Sequence, residues 1–508
     1  MQNSQGVRRF RLHFAFCILN FALLAGCASA QPAPVAAPAA QVAPATADPR
    51  TQLSEFIQNT IAGPGVSRGS WGIVVQSIAR DERLFEYNGR ALLVPASISK
   101  LVAVAAGVEA VGWDYVFETS VRTAGDITNG VLHGDLLIVG SGDPSIGGRG
   151  GDDDFSSWVD ALKAAGIARI DGRIIGDDDA FDDPRPGAMW AWDDLGYTSG
   201  ALYGALNFAE NKMAVTVTPA RTAGAPAALS VEPFAASRPL GNRTLTLRAG
   251  SLQQLWPEQR PGEPFLTIAG SMPVGAAPAR MTVSAGNPTS WFASAFRHQL
   301  LQGGIEVGGE AFDIDDVSPK PDASSMRVLY THRSRPLAGI TEPLLKESIN
   351  IYAEAVFRLG TGPTGGRMND DAIAALRMRL PMWGLPVDAI QLVDGSGLSR
   401  RDTIAAETIV RVLQRMYDAT GMSPWMQGLP IAGRDGTLEN RLKGTAAADN
   451  VRGKTGTMSN IRSLAGYIRT RDGEPLAFAI MVNNFEGTGA QAQAAIDAIA
   501  VRLAEFTR

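Results

Sequence analysis

The chain has 508 residues, enough at about 100 to 200 residues per domain for several domains rather than one small module. Hydrophobic residues make up 45% and charged residues 19%, which excludes a wholly disordered chain, a coiled coil and a polytopic membrane protein. A formal net charge of −5 offers no basic face, so no nucleic-acid partner is expected.

Residues 1–27 read as an export signal. Arg8, Arg9 and Arg11 precede an apolar stretch from Leu12 to Leu24 that is too short for a convincing membrane span. It ends in Leu24-Ala25-Gly26-Cys27, which resembles a bacterial lipobox whose cysteine is lipidated and becomes the mature N-terminus. Simple cleavage after Ala28-Ser29-Ala30 is the alternative. On the first reading Cys27 is a lipidation site and the protein is exported to the periplasm, attached to a membrane through its lipid. Ala28 stands where an inner-membrane lipoprotein has aspartate, so the expected destination is the outer membrane. Both cysteines, Cys17 and Cys27, lie in this segment, which leaves no disulfide or cysteine-metal site for the body. Residues 28–49, mostly Ala, Pro, Val and Gln, cannot build a core and read as a tether.

A short helix is expected over Thr51–Ala62, then a hairpin of Trp71–Ile78 and Leu84–Tyr87. Between them Gly65-Val66-Ser67-Arg68-Gly69 matches the nucleophile elbow G-x-S-x-G, which would suggest an α/β-hydrolase with His133, His298 or His332 as base. An elbow needs a strand before and a helix after; here a Gly-Pro turn precedes and a strand follows. Val94-Pro95-Ala96-Ser97-Ile98-Ser99-Lys100 then opens an apolar run to Val108, read as a buried helix with Ser97 in its first turn. Lys100, one turn on, projects from the same face. Only seven of the 46 basic residues are lysine, and an apolar run is a poor place for a solvated one. A serine hydroxyl becomes a nucleophile when a base takes its proton, which lysine does if burial keeps its amine neutral. The helix N-terminus supplies N–H groups for an oxyanion. The plain alternative is a capping serine with a surface lysine, since S-x-x-K arises by chance about 0.4 times in such a chain.

The acidic runs Asp152–Asp154 and Asp177–Asp183 lack calcium-loop spacing and read as solvated loops, and no phosphate-binding glycine loop opens a helix; neither metal nor cofactor is expected. Glu342–Arg358 has helical periodicity and carries Ser348-Ile349-Asn350, by default a solvated helix face. Lys454-Thr455-Gly456-Thr457 sits on a strand from Val451 to Thr457, followed by strands Ile461–Arg469 and Pro475–Asn483 and a closing helix Gln491–Phe506. A K-T-G arises by chance only about 0.05 times.

In this order, S-x-x-K, S-x-N and K-T-G resemble the signature of penicillin-binding proteins and serine β-lactamases. Ser97 and Ser348 stand 251 residues apart, about 200 more than a β-lactamase needs. With Asp394-Gly395-Ser396-Gly397-Leu398-Ser399, Leu429–Leu438, Val139–Ser145, and Trp192-Asp193-Asp194-Leu195 ahead of Ala205-Leu206-Asn207, the chain is similar to the class C low-molecular-mass penicillin-binding proteins. These are serine D-alanyl-D-alanine carboxypeptidases and endopeptidases of the penicillin-binding protein 4 type.

The resemblance implies an α+β fold: a transpeptidase-like catalytic domain, an antiparallel sheet with helices, from 50–117 and 328–508, interrupted by a largely β insert at 118–327. It implies Ser97 as acylated nucleophile, Lys100 as its base, Ser348 as proton relay to the leaving amine, and Asn350 in the cleft wall. Lys454 and Thr455 would bind the substrate carboxylate, backbone N–H groups of Ser97 and Thr457 the oxyanion, and Asp194 the peptide's free amine. The implied partners are peptidoglycan peptides and β-lactam antibiotics. Ile349 replaces the aspartate of the S-D-N motif, tolerable if only the outer two residues face the cleft. The alternatives are a β-lactamase-type esterase and a non-catalytic, lipid-anchored peptidoglycan-binding protein.

Overall fold

A computed structural model describes residues 48–508 except 150–153, 184–185, 233–237, 261, 264 and 419; the export signal, Cys27 and all but the last two residues of the tether lie outside the described residues. Helix α1 (Pro49–Ile61) starts on a proline whose fixed φ suits a first turn and buries Leu53, Ile57 and Ile61, a stripe of four-residue spacing. Strands β1 (Ser70–Ser77) and β2 (Glu82–Tyr87) form the expected hairpin, its turn beginning one residue early. In the G-x-S-x-G stretch Ser67 is exposed and its hydroxyl donates to Glu486 at 2.9 Å. Helix α2 (Ser99–Val111) is buried at every position from Ser99 to Val108.

Far along the chain come helices α3 (Leu337–Glu347), α4 (Asn350–Arg358) and α5 (Ala406–Met416), strands β3 (Arg452–Met458), β4 (Ile461–Arg469) and β5 (Pro475–Asn483), and helix α6 (Gly489–Ala504). The five strands make one antiparallel sheet in the order β2-β1-β5-β4-β3, so the two ends of the sequence meet at the β1–β5 pairing. Alternation along β5 sorts its side chains. Leu476, Phe478, Ile480 and Val482 pack with α1 and α6, whereas Ala477, Ala479 and Met481 face the cluster around α2. The alanines keep that face thin enough for α5 to lie against it, with α2 packed on α5. On its other side α2 meets α4 so closely that a Cβ on Gly107 would stand 2.4 Å from the Val356 carbonyl oxygen.

Residues 118–333 supply the remaining large sheets. A mixed five-stranded sheet runs 311–313, 174–177, 136–139, 118–123, 327–333 and packs with helices Ser156–Ala164 and Pro288–Gln302. Two three-stranded sheets, 228–232/212–218/279–284 and 240–247/266–273/254–258, bury Val215, Val217, Ile268 and Met272 between them. The protein is therefore α+β, a transpeptidase-like sheet and helices interrupted by a largely β segment. Strand 327–333 pairs with 118–123, which carries that segment past the division expected at 328.

Two other expectations are corrected. Glu342–Arg358 is two helices, not one, because Ser348 between them adopts left-handed φ = 64°. Asp177 and Asp178 are buried at the end of a strand rather than solvated. Burial pushes the Asp178 carboxyl up to about 7, and it accepts from Thr289. Asp178, Asp313 and Asp315 converge, with Lys320 bonded to Asp315 at 2.5 Å. Among the described residues no helix is long and apolar enough to cross a membrane.

Candidate active site

Ser97 lies in a single 3₁₀ turn, Ala96–Ile98, that leads into α2. Ala96 has φ = 49°, a left-handed conformation costing a non-glycine residue about 1 kcal/mol, so neighbours must hold it. They do so by close approach. Pro95 O accepts from Ser463 Oγ at 2.8 Å. A Cβ on Gly456, in the K-T-G strand, would stand 2.6 Å from Pro95 O, and one on Gly397 (φ = 79°) would stand 2.2 Å from Ala96 O. Two glycines thus let β3 and the 394–399 loop close over the nucleophile's turn.

Lys100 is completely buried. Its Nζ donates to Ser97 Oγ at 2.8 Å, to Asn350 Oδ1 at 2.7 Å and to the Ser396 carbonyl at 2.7 Å. The orientation of Asn350 is fixed by its other end, where Nδ2 donates to Ser199 O at 2.7 Å. Burial pulls the Lys100 ammonium down to about 7, against the opposing pull of Asp394, Glu354 and Asp402. Those three carboxyls organise the loop over the amine. Glu354 accepts from Gly395 N and Ser396 N, and Asp394 accepts from Gly397 N at 2.6 Å and Ser399 N at 2.9 Å. Burial, then the neighbouring Asp394, pushes the Asp402 carboxyl up to about 10, and its Oδ1 accepts from Val393 N at 2.8 Å.

Ser348 Oγ accepts from Lys454 Nζ at 2.8 Å, and the same ammonium donates to the Thr455 carbonyl at 2.9 Å. Burial, then repulsion from Lys100, holds Lys454 well below the ordinary lysine range. Thr455 is also buried, its hydroxyl bonded to that of Thr437 at 2.8 Å. Ile349 is only 8% exposed and packs in the cluster around α2, where an unpaired aspartate would be costly.

A cleft of about 440 Å³ is lined by Ser97, Ser348, Asn350, Thr457, Asp194 and Arg400, among others. The structure therefore brings together Ser97, Lys100 and Asn350 as one bonded group and Ser348 and Lys454 as another, with Ser97, Ser348, Asn350, Thr457 and Asp194 on the same cleft. Lys454 and Thr455 are not among the lining residues; Lys454 reaches the cleft through Ser348. Burial, then Asp193, raises the Asp194 carboxyl, and Arg400 opposes the rise.

The description of the D-Ala-D-Ala carboxypeptidase 3 (S13) family matches residues 53–506. The chain belongs to that family. It is a serine D-Ala-D-Ala carboxypeptidase of the class C low-molecular-mass penicillin-binding kind. This S13 peptidase is 32% identical over 468 residues to a D-alanyl-D-alanine carboxypeptidase of Actinomadura sp. (strain R39), covering 90% of this chain and 85% of that one. It is 26% identical over 450 residues to the D-alanyl-D-alanine carboxypeptidase DacB of Haemophilus influenzae, covering 85% and 88%. The crystal structure of Haemophilus influenzae penicillin binding protein 4 superposes with a TM-score of 0.75 at 25% identity, over 88% of this chain and 98% of that one. The same protein complexed with a β-lactam gives a TM-score of 0.70 at 23% identity, again over 88% and 98%.

Sequence reasoning missed several groups that serve the S13 site. Glu354, Asp394 and Asp402 are buried acids whose partners are loop N–H groups and, for Asp394, the Trp190 indole. The 394–399 stretch was visible as a family resemblance, but nothing local in it says that the Ser396 carbonyl reaches an amine 296 residues earlier. Arg400, next to that stretch, carried no signal of its own.

Proposed function

We propose that this peptidase cleaves the D-Ala-D-Ala bond of peptidoglycan stem peptides with Ser97 as the acylated nucleophile and Lys100 as its base. One observation carries the reading: of the three oxygens around Lys100 Nζ, the Asn350 amide oxygen and the Ser396 carbonyl can only accept. A neutral amine keeps two N–H donors on those two, and its lone pair is left facing Ser97 Oγ. The hydroxyl then gives its proton to Lys100 as Oγ attacks the carbonyl carbon of the penultimate D-Ala.

The oxyanion so formed is assigned to the N–H groups of Ser97 and Thr457. Ser348, bonded to Lys454, passes a proton to the departing D-Ala amine, and water then hydrolyses the Ser97 ester. A substrate carboxylate at Thr455, Thr457 and Ser348 favours the charged form of Lys454. That charge in turn repels a proton from Lys100 and keeps the base neutral. Asp194 is assigned the free amine of the substrate's side chain, an ammonium being what a desolvated carboxylate beside Asp193 lacks. Cleavage of D-Ala cross-links in the same cleft belongs to this reading.

We also infer that residues 50–117 and the chain after the insert form one catalytic domain, and that the protein is exported and anchored through a lipid on Cys27, at the outer membrane. The test of the catalytic reading is intact-protein mass spectrometry after incubation with benzylpenicillin. A single covalent adduct, mapped to Ser97 and lost in Ser97→Ala, is expected; an adduct on Ser67, or none in folded protein, refutes it.

A further inference from the structure

Asp194 belongs to a stretch, 186–200, that contains only two three-residue 3₁₀ turns, Trp192–Asp194 and Thr198–Gly200. Such a segment has no long helix or strand of its own to fix a side chain, so its position depends on where it is tied. Before Asp194, Trp190 Nε1 donates to Asp394 Oδ2 at 2.8 Å, and Ser399 Oγ donates to Ala188 O at 2.6 Å. After it, Ser199 O accepts from Asn350 Nδ2 at 2.7 Å. A Cβ on Gly187 would stand 2.3 Å from Trp190 Nε1, so the backbone turns tightly over the indole. These three ties run to the loop whose Ser396 carbonyl meets Lys100 Nζ and to Asn350, which meets Nζ through Oδ1; a further tie, Ser284 N to Gly196 O at 3.1 Å, runs to strand 279–284 of the insert. Asp394 is fully buried, and its Oδ2 takes both Trp190 Nε1 and Ser399 N.

We propose that Trp190 and Ser399 are positioning residues for substrate selection, tying the segment that bears Asp194 to the loop over Lys100 and so fixing the amine-binding carboxylate at a set distance from Ser97. The inference rests on the assignment of Asp194 to the substrate amine made above. Neither the Trp190 indole nor the Ser399 hydroxyl bonds Lys100 or its three acceptors, so losing one of these ties loosens the segment that bears Asp194 while the three acceptors of Nζ stay in place. The consequence is a defect confined to ligands that carry the amine.

The test uses the full chain and three ligands: a D-Ala-D-Ala peptide whose preceding side chain carries a free amine, the same peptide with that amine acetylated, and benzylpenicillin. Trp190→Phe keeps an aromatic ring but removes the donor. It should lower kcat/KM for the amine peptide about tenfold, through KM, and leave the acetylated peptide and penicillin acylation within about twofold. Ser399→Ala should act in the same direction by a smaller factor, and it carries the test if Trp190→Phe does not fold. Asp194→Asn should abolish the preference for the amine. If Asp194→Asn does so and both positioning variants keep it, the inference is overturned while the assignment of Asp194 stands. Equal losses on all three ligands overturn it as well, since the ties would then support the whole site. If Asp194→Asn leaves the preference intact, the assignment of Asp194 falls and takes the inference with it.

Discussion

Lys100, when charged, has three N–H donors and three acceptors within 2.8 Å, so its ammonium is fully satisfied yet buried beside a second buried lysine. Desolvation decides the balance, bringing the amine down to about 7 against three nearby carboxyls. If Lys100 is the base, it is protonated below that pH. The rate of acylation by penicillin should therefore rise with pH through an inflection near 7 and fall about tenfold per unit well below it, measured by stopped-flow or quenched labelling. Lys100→Arg keeps the charge in a group that does not deprotonate, and acylation should drop at least about 10²-fold for peptide, ester and penicillin alike. Lys454 is assigned a different part, acting through Ser348 on the substrate carboxylate. Lys454→Ala should cost a carboxylate-bearing peptide about tenfold more in kcat/KM than a neutral thioester lacking the group. An equal loss on both would dissolve the distinction between base and anchor. The burial of Lys100 could be anticipated from the apolar run that follows it. The acids near it could not, because Glu354 meets backbone 41 and 42 residues away and Asp394 and Asp402 lie far along the chain from Lys100, none with a local marker of burial.

At the scale of elements, the site is a meeting of three pieces: the turn before α2, the corner between α3 and α4, and strand β3. Their contacts leave no room for side chains at Gly107, Gly397 and Gly456. Gly107→Ala places a methyl against the Val356 carbonyl and must push α4 away from α2, which costs about 1–3 kcal/mol. The melting temperature should fall by several degrees, and penicillin labelling should slow because Asn350, on α4, no longer meets Lys100 squarely. A variant as stable and as fast as the parent would mean the helices absorb the methyl without moving. The corner itself was hidden from the sequence. Periodicity through Glu342–Arg358 continues on both sides of Ser348, and one left-handed residue reorients the second helix without disturbing the apolar spacing that a pattern detects. The strands after Lys454 were legible because β4 and β5 are long, apolar and joined by a short polar turn.

For the whole molecule, the separation of 251 residues between Ser97 and Ser348 was enough to announce an insert. Its packing was not: the β segment pairs strands in both directions, and strand 327–333 returns beside 118–123, a pairing with no local marker. Anchorage is tested in the host cell, where Cys27→Ala should move the protein from the membrane fraction to the soluble periplasmic fraction. Unchanged fractionation would favour cleavage after Ala30. The sheet has a further consequence. Strand β1, made early, has β5 as one neighbour, and the turn that carries Ser97 is pressed into shape by Gly456 and Ser463, made more than 350 residues later. During synthesis, a chain that has delivered Ser97 and Lys100 but not residues 452–483 lacks Gly456 and Ser463 against the turn. If Ser97 is the nucleophile, the turn that presents it takes its final shape only when the last strands of the chain arrive.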